Sequence, residues 1–196
     1  MKKSYVILGI VALVIILSYS WIKGSYNSMV TLEEGVTEKW SQVENVYQRR
    51  ADLIPNLVNV VKGYAAHEKS TLEGVIEARA KATSVNINAD NLNAESLQKF
   101  QAAQSGLSSA LSKLMVVVER YPDLKANENF RDLQAQLEGT ENRIATARMR
   151  FNDETKKYNT IVRQFPGNII AGWYNFEEKV YFEAERGTEK APVVEF

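Results

Sequence analysis

The sequence predicts an all-α protein, an N-terminal transmembrane helix followed by an antiparallel bundle of three to four long helices. Three observations carry this. Nineteen consecutive uncharged residues lie between Lys3 and Lys23. From Val36 onward apolar residues recur every three or four positions instead of alternating. Phe130, Leu137, Ile144, Phe151, Tyr158 and Phe165 stand at strict seven-residue spacing.

As a helix rising about 1.5 Å per residue, residues 4–22 extend roughly 28 Å, close to the hydrocarbon thickness of a bilayer. Tyr5 at one end of the run and Tyr19 and Trp21 at the other suit the headgroup regions. Lys2, Lys3 and the amino terminus outweigh a lone Lys23 beside Glu33 and Glu34, which predicts a cytoplasmic N-terminus and an exported domain. A cleaved signal peptide is the competing reading, since Ser18-Tyr19-Ser20 suits a signal peptidase. The helical pattern that resumes directly after Lys23 argues against cleavage.

The first helix of the bundle is expected to continue from the anchor to about Thr83. Two residues interrupt its pattern, Arg50 within an apolar heptad row and Pro55 in mid-run. Pro55 removes a backbone donor and should kink this helix or break it into two. The unbroken phase of the row favours a kink. The Asn-rich stretch 84–93 suits a loop and an N-cap. A second helix reads from Ala94 to Tyr121, with Gln104 inside an apolar row and Pro122 as its stop. The third starts near Asn127 and ends at Pro166-Gly167, after which Asn168 to Phe176 suit a short amphipathic turn. The organisation is thus an anchor over residues 1–23, a bundle over 24–176 and an acidic tail over 177–196.

Helix lengths lead to an interaction surface. A first helix of about 87 Å faces a second of about 42 Å, which would leave Val36, Trp40, Val43 and Tyr47 without an intrachain partner. Such a stripe predicts a homo-oligomer, with cover by the acidic tail as the alternative. Arg50, Asp52 and Pro55 form a polar interruption that is read first as structural, with a polar docking point as the functional alternative. The structural reading is pairing of Arg50 across the bundle, where the third helix offers Glu138 and Glu141, because a buried arginine without a carboxylate is strongly unfavourable.

The residues give no sign of an enzyme. With 24 basic and 24 acidic side chains there is no global field to gather nucleic acid, and zero cysteines exclude thiolate chemistry. His67-Glu68 begins a zinc-protease pattern, but Thr71 stands where the second histidine belongs. A di-iron bundle site needs two Glu-x-x-His pairs, and the chain has one histidine. No catalytic residue, metal or cofactor is expected.

Three stretches nevertheless resemble a known family: RRADLIPNLVNVVKGYAAHE (Arg49 to Glu68), YPDLKANENFRDLQAQLEGTENRIATARMRFN (Tyr121 to Asn152) and YNTIVRQFPGNIIAG (Tyr158 to Gly172). They closely resemble the LemA family of bacterial membrane proteins, in the family's order and over nearly the whole chain beyond the anchor. The resemblance implies a single-pass protein of the bacterial inner membrane with an antiparallel bundle of long helices and no assigned activity; the lysine bias adds that the domain lies on the periplasmic or outer side. LemA-like genes stand near those of TPM-domain membrane proteins and HtpX-type zinc peptidases. This implies an interaction or scaffold protein, or alternatively an accessory subunit of such a peptidase or TPM-domain protein. No ligand-binding residue carries over.

Overall fold

The structure, a computed structural model, describes residues 2–87 and 92–183. The described residues form six helices and no strand: α1 (Lys2–Tyr64), α2 (Lys69–Ser84), α3 (Ala94–Val118), α4 (Pro122–Ala126), α5 (Glu128–Arg163) and α6 (Gly167–Tyr174). Taking α1 as rising from the amino terminus, α2 descends, α3 rises and α5 descends, the expected antiparallel arrangement with four helices at its upper end.

α1 passes through Pro55 without interruption. The missing N–H of Pro55 frees the carbonyl of Ala51 one turn earlier. Arg79 of α2 fills that vacancy, its Nε donating to Ala51 O at 2.7 Å. Pro55 itself is exposed while Ile54, Leu57, Val58 and Val61 are buried, so the proline sits away from the packing face. The first helix therefore ends at Tyr64, not near Thr83, and the chain reverses ten residues beyond the proline. The physical reason is tertiary. Reversal lets Leu72, Val75 and Ala82 bury against Leu57, Val58 and Val61 in one cluster, which a straight continuation would leave in water.

Asn93 opens α3 with a capping box, accepting from the Ser96 amide while the Ser96 hydroxyl accepts from the Asn93 amide. α3 ends at Val118, and Pro122 does not stop it directly but opens α4 at a first-turn position, where its lost donor is harmless. Asn127 caps α5 by accepting from the Phe130 amide at 3.0 Å. α5 then descends along α1 in constant register: Arg50 meets Glu141, and ten residues further along each helix Trp40 meets Phe151. Five members of the seven-residue row are buried, whereas Phe165 is 78% exposed because α5 ends at Arg163. A cis Phe165-Pro166 bond leads into α6. There Gly167 approaches so closely that a Cβ would lie 2.5 Å from the Ile161 carbonyl oxygen.

Left-handed Asn175 ends α6, and residues 175–183 run non-helically along α5 as a strap. Two asparagines hold it. Asn159 accepts from the Lys179 amide and donates to the Lys179 carbonyl; Asn152 does the same for Phe182. Seven helical residues and three extended ones both cover roughly 10 Å, so the two spacings match. Phe182 is thereby seated against Trp40 and Phe151, at ring distances of 5.9 and 5.4 Å. Of the acidic tail, 177–183 form this strap and 184–196 lie outside the described residues.

Candidate docking groove

Two apolar clusters divide the bundle. The lower one takes Met29 to Tyr47 of α1 with Ile144 to Val162 of α5, and the upper takes Ile54 to Ala65 with Phe130 and Leu137. Between them each of three helices places one polar residue: Arg50 on α1, Gln104 on α3 and Glu141 on α5. The antiparallel register brings all three to one level. Arg50 is 2% exposed. Its Nη1 donates to Glu141 Oε1 at 2.7 Å and to Ser108 Oγ at 3.1 Å, and its Nη2 donates to the side-chain oxygen of Gln104. Gln104 in turn donates to the Ala82 carbonyl at 3.3 Å. The guanidinium carbon lies 5.1 Å from the Tyr47 ring centre, and Nε has no partner among the described residues. Because the Glu141 side chain stays 49% exposed, its carboxylate keeps much of its hydration. The desolvation penalty falls mainly on the arginine, whose two terminal nitrogens meet four acceptors, the Gln104 main-chain oxygen included.

α3 packs on α2 and α5 on α1, so α3 and α5 face each other across an open groove of about 850 Å³. Tyr47 and Arg50 line it, with Leu97, Gln101 and Ser105 from α3 and Ile144 and Arg148 from α5. The strap bridges its walls, since Arg148 and Gln101 both donate to the Glu183 carbonyl, at 3.0 and 3.3 Å. Among the described residues no group of three His, Asp or Glu could hold a metal. The groove has the volume of a ligand pocket, yet it is open and lined by both polar and apolar side chains, which suits an extended polypeptide better than a small molecule.

The expected site residues separate. Val36, Trp40, Val43 and Tyr47 do not form an uncovered stripe; all four are buried. α5, the strap and the connection from α2 to α3 cover them, and Trp40 Nε1 donates to the Ile87 carbonyl at 2.9 Å. The premise failed because the reversal at Tyr64 brings later segments down to this level. Asp52 is exposed and accepts from Gln48 at 2.8 Å, whereas Arg50 pairs across the bundle with Glu141. The partners of Arg50 are Glu141, one of the charges the third helix offers, and Gln104 and Ser108, which sequence reasoning does not single out as partners. A usable signal exists for Gln104, a polar residue in the apolar row Leu97, Leu111 and Val118, whereas Glu141 stands in a polar row with Gln134, Arg148 and Thr155 and gives none.

Below the groove, Tyr158 is fully buried and its hydroxyl has no partner among the described residues. Burial first, then the charges of Glu33 and Glu177, hold its phenol far above the usual range. The unfolded chain ionises this group near its ordinary pKa of about 10 while the folded one does not. Stability should therefore fall as pH rises past that point. Tyr158→Phe is expected to weaken this alkaline loss and to be neutral or slightly stabilising at pH 7, checked by urea titration at the two pH values. An equal alkaline loss in the variant would refute the assignment.

The pattern of the LemA family matches residues 39–196. The chain belongs to the LemA family. It is 28% identical to magnetosome protein MamQ 2 of Paramagnetospirillum magneticum, covering 86% of this chain and 68% of that one. It is 27% identical to magnetosome protein MamQ of Magnetospirillum gryphiswaldense over the same shares. Protein LemA of Metamycoplasma hominis is 25% identical, covering 78% of this chain and 63% of that one. Among the described residues, one helix of this LemA-family chain is long and apolar enough to cross a membrane, with none of its apolar stretch buried, and the chain is membrane-associated.

Proposed function

We propose that this chain is a membrane-anchored docking and scaffold protein of the bacterial envelope, without catalytic activity of its own. α1 crosses the inner membrane once through residues 4–22 and holds the bundle on the periplasmic or outer side. The groove between α3 and α5 receives an extended segment of another polypeptide. The observation that carries this reading is the groove itself, open along two long helices and lined by a buried arginine whose partners are already in place. Two relatives named after a structure, the magnetosome, and not after a reaction support an assembly role. The guest is either a second copy, making a self-assembling homo-oligomer, or a membrane peptidase or TPM-domain protein, making this chain an accessory subunit.

A photo-crosslinking residue replacing exposed Ser105, which lines the groove, tests the reading in intact cells against the same residue replacing exposed Ile76, which does not. A stoichiometric, light-dependent adduct from position 105 alone is expected. An adduct of twice the chain mass identifies self-assembly, and one with an envelope protein identifies the accessory role. No adduct, or equal labelling at both positions, overturns the proposal. A chain ending at Glu183 should give the same adduct, which separates the guest from this chain's own residues 184–196.

A further inference from the structure

We propose that α6 and the turn before it form a foot resting in the headgroup layer of the membrane, a second lipid contact beside the span. The proposal rests on α1 crossing that membrane.

Height along α1 is the first argument. Ile22, the last residue of the apolar run, is partly covered and packs with the lower cluster that includes Ile170 and Ala171 of α6. Tyr26, one turn later, meets the Tyr174 ring at 4.8 Å and the Phe176 ring at 5.6 Å. Four residues of helix rise about 6 Å, and each headgroup layer is about 5–8 Å thick. α6 therefore stands level with the headgroups, with no gap between the span and the base of the bundle.

Composition is the second. α6 reads GNIIAGWY and carries no charge. It buries Ile170 and Ala171 inward and leaves Ile169 and Trp173, four residues apart on one face, 41% and 65% exposed. Phe165 in the adjoining turn and Tyr174 add to the patch. An apolar aromatic surface of this kind is unfavourable in water, and tryptophan and tyrosine favour the membrane interface. The nearby charges give no basic excess: Arg163 pairs with Glu178 at 3.4 Å and Glu177 lies beside them. Attraction to anionic lipid is therefore not the source of the contact, and zwitterionic lipid should serve.

The three tryptophans of the chain, Trp21, Trp40 and Trp173, provide the test. The full chain is reconstituted in phosphatidylcholine nanodiscs containing headgroup spin-labelled phosphatidylcholine, and fluorescence quenching is read. W21F/W173F leaves only Trp40, buried and about 28 Å up the helix from Trp21, and sets the unquenched baseline. W173F reports the anchor through Trp21, and W21F reports the foot through Trp173. Both single variants are expected to lose intensity relative to the double variant, W21F equally so when phosphatidylglycerol replaces part of the lipid. If W173F is quenched and W21F matches the baseline, the foot is refuted while the span stands. If W173F also matches the baseline, the span itself fails and the foot falls with it.

Discussion

Phe182→Ala is expected to lower the hydrogen-exchange protection of the Lys179 and Phe182 amides about 100-fold, corresponding to roughly 3 kcal/mol of lost burial. The ring is buried between Trp40 and Phe151, and the alanine variant leaves that space to be filled by water or collapse. What then remains along the strap is the set of asparagine hydrogen bonds, worth about 1 kcal/mol each. Asn159→Ala, which removes two of them, should reduce protection by a smaller factor, about thirtyfold. Because the strap follows the last helix and packs on one side of the bundle, the global urea transition should move less than the local opening. Unchanged protection in the phenylalanine variant would show that the strap is held by something other than its aromatic plug.

Glu141→Ala is expected to destabilise the full chain in detergent by about 3 kcal/mol, more than Arg50→Met, which should lose about 1 kcal/mol. The ranking follows from which charge is left stranded. Without Glu141 the guanidinium stays buried, with only the neutral Gln104 and Ser108 as partners. Without Arg50 the half-exposed carboxylate simply turns to solvent, and methionine fills much of the vacated volume. The exposure of Glu141 places its loss at the lower end of the range for a broken buried pair. Urea midpoints read by helical circular dichroism settle the order, and a reversed order would mean that the arginine contributes through packing and not through charge.

How much of this was legible in the sequence depends on which forces fixed each element. α5 was readable because it packs along α1 for its whole length, so its seven-residue row and the cap at Asn127 record one continuous interface. The α1–α2 reversal was not, because Ala65, Ala66 and their neighbours have no strong stop signal and the turn is set by what α2 buries. At Pro55 the unbroken heptad phase correctly favours a helix that continues over one that breaks; what no local rule exposes is Arg79, far along the chain, as the donor to the carbonyl the proline frees. In the candidate groove, Arg50 stands out as a polar residue in an apolar row, and its pairing across the bundle follows from the cost of burying it alone. Identifying Glu141 required the register between α1 and α5, which only the fold supplies. The strap was the least legible, since an extended segment clipped by asparagine side chains has neither helical period nor strand alternation.

α1 also gives the molecule no universal joint. A single helix runs from the apolar segment through both clusters, and Arg50 stands 28 residues beyond Ile22, about 42 Å along its axis. With residues 4–22 fixed in a bilayer, the groove has a set altitude and compass bearing, unlike a domain hung on a loose tether. A change of only 10° in tilt, well within the range that membrane helices adopt, would swing the groove sideways by about 7 Å. Bilayer thickness, which adjusts that tilt, would thus steer where the groove can meet a guest in the same membrane.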